Sequence, residues 1–276
     1  MMHTSLRSHY LMGTVVVAFL AITASGGLFV EGLYRPFVQS DALLAGLPVQ
    51  DFVSLLTAPL LLAAMVFTAR GSRRAFVAWV GLLVYVAYYY AFYVFGFMYT
   101  AFYPLYLALV ALSTFSFVGL LAGADAEAFR EHASERMPVR FIGAVLATPV
   151  LLVPLWVSMI FKGIAAQQAG EIDLVFVLDL GFLIPAVLFT GVQIWRRRAV
   201  GYLLGGVLLV KSAISGVLLT AGSLWGLYLG FPAGADIVMY LFLAVAGSWA
   251  LVLYMRNLQD EPRPEARSRA LRPASS

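Results

Sequence analysis

The sequence contains no cysteine, and only 12% of its 276 residues are charged. A soluble domain carries about 25% charged residues, so this chain cannot cover a water-exposed surface with polar groups. The absence of cysteine excludes a disulfide-stabilised secreted scaffold and thiol redox chemistry. With 62% hydrophobic residues and a mean hydropathy of +0.90, the composition predicts an integral membrane protein. It excludes a nucleic-acid-binding domain despite the pI near 9.4.

Histidine is scarce as well. The chain has only His3, His9 and His132, and all three fall outside the long apolar runs described below. This excludes intramembrane haem with paired histidine ligands, histidine-clustered metal sites and Ser–His proteolysis within the bilayer. There is no P-loop and no DDxxD prenyl-diphosphate motif. We therefore expect no cofactor, and Asp, Glu, Lys and Tyr remain as the acid–base groups.

Long apolar runs are abundant. A transmembrane helix needs about 20 mainly apolar residues, because the hydrocarbon core is about 30 Å thick and each residue rises about 1.5 Å. Eight segments meet this requirement: Tyr10–Val30, Asp51–Ala69, Ala75–Phe97, Phe102–Ala122, Phe141–Phe161, Leu174–Trp195, Val200–Tyr228 and Ile237–Met255. None alternates with period two, which excludes a β-barrel. The predicted fold class is an all-α integral membrane protein, an eight-transmembrane-helix bundle.

The distribution of basic residues predicts the orientation. If the N-terminus lies in the cytoplasm, all of the 18 basic residues are cytoplasmic except Arg35, Lys162 and Lys211, the last of which lies within a span. Because basic loops stay in the cytoplasm, we expect a multi-pass protein of the cell (inner) membrane with both termini cytoplasmic. One alternative remains open: the first span is a signal peptide cleaved near Ala24, which leaves seven spans.

The predicted domain organisation is one membrane domain over residues 1–256, followed by a disordered cytoplasmic tail over 257–276 that is rich in Pro, Arg and Ser. A weak repeat, in which Asp51-Phe-Val and Asp173-Leu-Val lie 122 residues apart, suggests parallel halves 1–123 and 139–256. Alternatively, any two spans that run in the same direction share an outer acidic end and an inner arginine cluster. Prolines 149, 154 and 185 predict kinks in spans five and six.

Two ionisable residues lie inside the spans, and such residues indicate a functional site by default. From the helical rise, Asp179 in span six and Lys211 in span seven both lie about 10 Å below the outer boundary. The two spans are joined by a short turn and must be antiparallel neighbours. We therefore expect an Asp179–Lys211 pair. A purely structural role, in which the pair pins two helices, is the alternative.

Tyrosines and further acidic residues fall in the same outer layer. Tyr85, Tyr88 and Tyr89 lie in span three, and Glu31 and Asp51 lie at outer helix ends. The predicted substrate-binding set adds Asp179 and Lys211 to these five and forms a polar, tyrosine-lined cavity that opens outward. The alternative is that the tyrosines are a packing stripe and that Glu31 and Asp51 are solvated helix ends.

The predicted function is a small-molecule or ion transporter, in which Asp179 and Lys211 change partners when a substrate or proton arrives. A non-transporting membrane sensor or assembly subunit is favoured instead by the small size and by the apolar inner halves of the spans. A lipid-modifying enzyme of the outer leaflet, with Asp179 as base and a tyrosine as acid, is the third hypothesis. The expected partners are the lipid bilayer and a small-molecule or ion ligand, and nucleic acid is not expected.

Overall fold

The computed structural model describes residues 2–168, 170, 173–232, 234 and 236–260. The predicted eight apolar helices are confirmed, because this part of the chain has eight helical segments long and apolar enough to cross a membrane. Six of these segments are single uninterrupted helices, and two are interrupted. The helices are α1 Met2–Phe29, α2 Asp41–Ala69, α3 Arg73–Phe95, α4 Tyr103–Ala122, α5 Ala126–Glu131, α6 Val139–Ala147, α7 Val153–Ala166, α8 Leu174–Leu178, α9 Ile184–Trp195, α10 Ala199–Tyr228 and α11 Asp236–Asn257.

Helix α2 begins ten residues before the predicted start of the second span. Ser40 is its N-cap, and the Ser40 side chain accepts a hydrogen bond from the backbone N–H of Leu43 at 3.3 Å. Asp41 in the first turn complements the positive end of the helix dipole. Asp51 therefore lies in the interior of α2 and not at its outer end, where we expected it. Likewise, His9 lies within α1 and packs against Gly119 of α4, although it was predicted to precede the first span.

Spans five and six are both interrupted near the prolines that predicted kinks. A 3-10 turn over Thr148–Leu152 separates α6 from α7, and a π-helical turn over Asp179–Leu183 separates α8 from α9. Pro149 lies at the start of the 3-10 turn, and Pro154 and Pro185 lie at the starts of α7 and α9, which follow the two breaks. A proline has no N–H to donate into the preceding turn, so one α-helical hydrogen bond is lost at each of these positions.

Helices α3 and α10 lie at the centre of the molecule. About 72% of the apolar window of α3 and 67% of that of α10 are buried, compared with 33% or less in the other six segments. Gly81 of α3 permits this contact, since a Cβ atom there would lie 2.5 Å from Cβ of Val210 and 2.8 Å from the carbonyl oxygen of Val207 in α10. The close approach brings the tyrosines of α3 against the middle of α10.

The first four spans contact one another in the cyclic order α1, α2, α3, α4, and spans five to eight contact in the same cyclic order. The two groups meet where α10 packs against α2 and α3 and where α8 packs against α3, and α10 also contacts the short helix α5. We call the side with the Arg70–Arg74 and Arg196–Arg198 turns the arginine side. The opposite side, with the 30–40 and 96–102 segments, is called the loop side.

The start of the predicted tail is packed on the arginine side. Leu258 is fully buried and pairs with Ala133, and its carbonyl oxygen accepts a hydrogen bond from Nε of Arg74 at 2.6 Å. Asp260 accepts a hydrogen bond from the backbone N–H of Arg73 at 3.0 Å. Residues 261–276, the remainder of the predicted tail, lie outside the described residues.

Candidate functional site

The contact between α3 and α10 places Lys211 against two tyrosines. Its ammonium nitrogen lies 3.7 Å from the centre of the Tyr88 ring and 5.9 Å from that of the Tyr89 ring. The side chain is only 3% exposed. An ammonium over an aromatic face is attracted by the negative face of the ring, and the attraction is larger when the pair is removed from water. Tyr88 therefore contributes part of the stabilisation that a buried lysine requires.

Asp179 begins the π-helical turn of span six. Its backbone carbonyl accepts a hydrogen bond from the N–H of Ile184, five residues later, and Pro185 follows directly. Single π-turns within helices occur frequently at functional sites. The extra residue in this turn changes the rotation of α8 relative to α9. The Asp179 side chain is 6% exposed.

Two side chains bind the Asp179 carboxylate from two other helices. The Tyr88 hydroxyl donates to Oδ1 at 2.5 Å, and Nε1 of Trp156 in α7 donates to Oδ2 at 3.0 Å. Trp156 packs on Phe176 of α8, with ring centres 5.6 Å apart. Sequence reasoning did not identify Trp156. A signal was present, because the predicted kink in span five lies just before a tryptophan at a depth similar to that of Asp179.

Asp179 and Lys211 do not form a direct ion pair. Over the described residues the ion pairs are Arg35–Asp41 and Arg130–Glu127. Tyr88 lies between the two charges instead: its hydroxyl binds the carboxylate and its ring face binds the ammonium. The expected layer of Asp179, Lys211 and tyrosine is therefore present, but the arrangement leaves the ammonium without an anionic partner within 4 Å.

A cavity of about 560 Å³ lies between α3, α4, α8–α9 and α10. Tyr88, Lys211, Thr114 and Thr190 are the polar residues of its described wall, and the rest of the wall is apolar. It extends from Leu174, the first residue of α8 on the loop side, to Leu121 in the last turn of α4 on the arginine side. This cavity differs from the polar, tyrosine-lined one that we expected.

The mouth of the cavity lies on the lateral surface of the helix bundle. Three of its wall residues, Val177, Phe182 and Phe189, have 58%, 68% and 51% of their surface exposed. Large exposed apolar side chains on a membrane-spanning segment face lipid. The cavity thus opens sideways toward the hydrocarbon. A site of this size with a few placed polar groups is typical of small-molecule binding.

The other predicted site residues are distributed differently. Tyr85 and Tyr89 are buried beside Tyr88, with Tyr85–Tyr89 and Tyr88–Tyr89 ring centres 4.7 and 5.2 Å apart, but neither belongs to the cavity wall. Asp51 is 1% exposed and accepts hydrogen bonds from two other tyrosines, Tyr34 on the loop side and Tyr93 of α3. Glu31 is exposed in the turn after α1. The predicted set is therefore divided between the surroundings of two buried carboxyls, Asp51 and Asp179, and the exposed Glu31.

Comparisons with protein family models, with curated proteins and with solved structures gave no match. The fold defines only a broad class of protein. The chain is a polytopic membrane protein whose described part has eight apolar helices, two of them interrupted, one at the buried Asp179. Because a fold does not define a function, its activity has to be argued from the site itself.

Proposed function

We propose that this protein is a membrane transporter that binds a small amphiphilic molecule with an anionic group in the cavity between α3, α4, α9 and α10. One observation carries the proposal: Lys211 belongs to the cavity wall, and its buried ammonium has no carboxylate within 4 Å among the described residues. A buried cation is costly unless an anion compensates it. An anionic ligand group at Lys211 would supply that compensation.

The rest of the wall defines the rest of the ligand. Apart from Tyr88, Lys211 and two threonines, the side chains are aliphatic or phenylalanine, such as Val84, Phe117 and Leu208. These surfaces favour an alkyl or aromatic group over a polar body such as a sugar. The lateral mouth favours entry of such a ligand from the bilayer.

The proposed orientation in the membrane follows from the positions of the basic residues. The arginine side carries the turns with Arg70, Arg73, Arg74 and Arg196–Arg198, and basic loops remain in the cytoplasm. We therefore propose that the arginine side and both termini are cytoplasmic in the cell membrane. The loop side then faces outward, and Lys211 lies in the outer half of the membrane.

The proposed moving parts are the two halves of the chain. Both groups of four helices share the same cyclic contact order, and α3 and α10, the third member of each group, meet at the centre. Parallel repeats related in this way occur in transporters, with the substrate between them. The cavity lies at such an interface, since α3 and α4 supply one wall and α8 to α10 supply the other.

A non-transporting sensor is the second candidate, and a specific observation favours it. Toward the arginine side, the cavity wall below Lys211 is formed by Phe117, Leu121 and Leu204, which offer no charge to an anionic group. Every residue of α10 from 201 to 211 except Leu204 is buried. A protein that only detects an amphiphile from the outer leaflet needs no polar route through this half.

Reconstitution with a fluorescent NBD-labelled alkyl phosphate tests the proposal. Binding is measured by fluorescence, and movement between leaflets is measured by dithionite quenching, in liposomes with the wild type, with Lys211→Met or without protein. The matched control is Lys162→Met, which removes an exposed cation from α7. A fatty alcohol with the same chain and label, which has no anionic group, controls for the phosphate.

We expect binding and protein-dependent movement of the alkyl phosphate that Lys211→Met abolishes and Lys162→Met leaves intact. Binding that depends on Lys211 without movement between leaflets contradicts transport and favours the sensor. Equal binding by the wild type and Lys211→Met, or equal binding of both lipids, contradicts the cavity as an anion site.

A further inference from the structure

The molecule contains a second buried carboxyl, Asp51 of α2, outside the cavity wall. It is 1% exposed and accepts two hydrogen bonds, one on each oxygen. The Tyr34 hydroxyl donates to Oδ2 at 2.9 Å, and the Tyr93 hydroxyl donates to Oδ1 at 3.2 Å. The proposed transport mechanism does not use this group.

The groups that face Asp51 carry no charge. The titratable ones are tyrosines: Tyr34 from the loop side, Tyr85, Tyr90 and Tyr93 from α3, and Tyr106 from α4. Helix α1 contributes Gly27. Burial, and then the negative charge of Asp51, raise the pKa of Tyr34, so it remains a neutral hydroxyl. An ionised carboxylate here is solvated by two hydroxyls and by no cation of the described chain, which is costly in a low-dielectric interior.

The space around the carboxyl selects its ligand. A Cβ atom at Gly27 would lie 2.0 Å from Oδ2 of Asp51 and 2.4 Å from the Tyr34 hydroxyl oxygen. The backbone of α1 therefore closes directly over the carboxyl. Sodium, magnesium or calcium requires several oxygen ligands and its own volume. A proton requires neither, so it is the cation that this site can accept.

A row of hydroxyls leads from Asp51 toward the loop side. The hydroxyl of Tyr34 lies beside that of Tyr106. The Tyr106 hydroxyl accepts a hydrogen bond from Oγ1 of Thr100 at 3.2 Å. Thr100 belongs to the segment between α3 and α4, next to Tyr99, which is 61% exposed. Hydroxyls both donate and accept, so such a row can reverse its direction when a proton arrives.

We propose that Asp51 is a proton-binding site loaded from the loop side through the hydroxyls of Tyr34, Tyr106 and Thr100. A hydronium ion at the loop side gives its proton to the row and leaves water, and the carboxylate gains one proton to become a neutral carboxyl. The new O–H donates to the Tyr34 oxygen, and the Tyr34 hydroxyl turns to donate to Tyr106. If the cavity transports its ligand, this proton is the coupling ion, a step that rests on the proposed function.

Infrared difference spectroscopy on the purified full chain in lipid nanodiscs tests the site without any substrate. A pH change that protonates Asp51 produces the C=O stretch of a protonated buried carboxyl and removes carboxylate bands. We expect the C=O band in the wild type, its downshift in D₂O, and its loss in Asp51→Asn. The band should persist in Asp179→Asn, which removes the other buried carboxyl. It should also persist in Asp41→Asn, which removes an exposed carboxylate paired with Arg35.

Tyrosine variants keep the test valid if Asp51→Asn fails to fold. Tyr93→Phe removes a hydrogen bond from the carboxyl and should shift the frequency of the band, and Tyr106→Phe should slow its H/D exchange by interrupting the row. A C=O band that survives in Asp51→Asn, or carboxylate bands alone at every pH where the protein is folded, would overturn the site. A C=O band that depends on Asp51, together with ligand transport that does not change with a pH gradient, would leave the proton site in place and contradict only its coupling to transport.

Discussion

The ammonium of Lys211 lies 3.7 Å from the centre of the Tyr88 ring, so the only buried lysine of the described chain is held by an aromatic face and not by a carboxylate. The hydroxyl of the same tyrosine binds Asp179. Asp179 and Lys211 thus both contact Tyr88 and do not contact each other. Because Asp179 already has two donors, an anion that reaches Lys211 does not have to displace it.

Substitution of Tyr88 separates the two roles of its side chain. Tyr88→Phe retains the ring under Lys211 and removes the donor to Asp179, so we expect the free energy of unfolding to fall by about 1.5–3 kcal/mol with binding of the alkyl phosphate largely retained. Tyr88→Leu removes both interactions and should weaken binding as well. Thermal unfolding and fluorescence titration measure the two effects. Tyr89→Phe is the control, and an equal loss of stability in that variant would contradict a specific role for Tyr88.

Filling the cavity should abolish binding without unfolding the protein. Ala87 of α3 lies in the cavity wall, so Ala87→Leu adds apolar volume to empty space and should leave thermal stability unchanged or raised. The matched control, Ala63→Leu, adds the same volume at an exposed position of α2. We expect only Ala87→Leu to reduce alkyl phosphate binding. Undiminished binding in Ala87→Leu would place the ligand elsewhere.

The close approach of α1 to Asp51 predicts opposite effects for two glycine substitutions. Gly27→Ala places a Cβ atom 2.0 Å from Oδ2 of Asp51, and overpacking of this kind costs about 1–3 kcal/mol. Gly46→Ala in α2 meets nothing within 4 Å and should stabilise the helix by up to about 1 kcal/mol. Melting temperatures of the two variants in detergent provide the measurement. A stabilising Gly27→Ala would contradict the contact between α1 and Asp51.

The helices and the common level of Asp179 and Lys211 were predictable because they depend on local quantities. The length of an apolar run predicts a span, and the fixed helical rise placed Asp179 and Lys211 at matching depths. The early start of α2 was also predictable, since Ser40 followed by Asp41 is a helix-start signal.

The contacts within the layer could not be predicted because they depend on how each helix is rotated about its own axis. The π-turn at Asp179 inserts a residue and rotates everything beyond it, and composition gives no sign of that insertion. It directs the carboxylate to Tyr88 and Trp156 instead of Lys211. Likewise, the burial of Asp51 depends on the approach of Gly27 from another helix.

The packed residues 258–260 predict a sharp difference between two C-terminal truncations. A chain that ends at Asn257 loses the buried Leu258 side chain and the hydrogen bonds to Arg73 and Arg74. Burial of one leucine contributes about 1.5–3 kcal/mol, so this truncation should lower the melting temperature clearly. A chain that ends at Asp260 retains all of these contacts and should melt like the full-length protein. Equal melting of the two truncated chains would contradict the packing of Leu258.

The absence of cysteine permits a direct test of the proposed orientation. Glu31→Cys on the loop side and Arg70→Cys on the arginine side each introduce one exposed thiol into an otherwise thiol-free chain. A membrane-impermeant maleimide should label Glu31→Cys in intact cells and Arg70→Cys only in inverted vesicles, because the basic turns remain in the cytoplasm. The reverse pattern would invert the topology and place Lys211 in the inner half of the membrane. The cavity and its anion chemistry would be unchanged, but Asp51 would then take its proton from the cytoplasm.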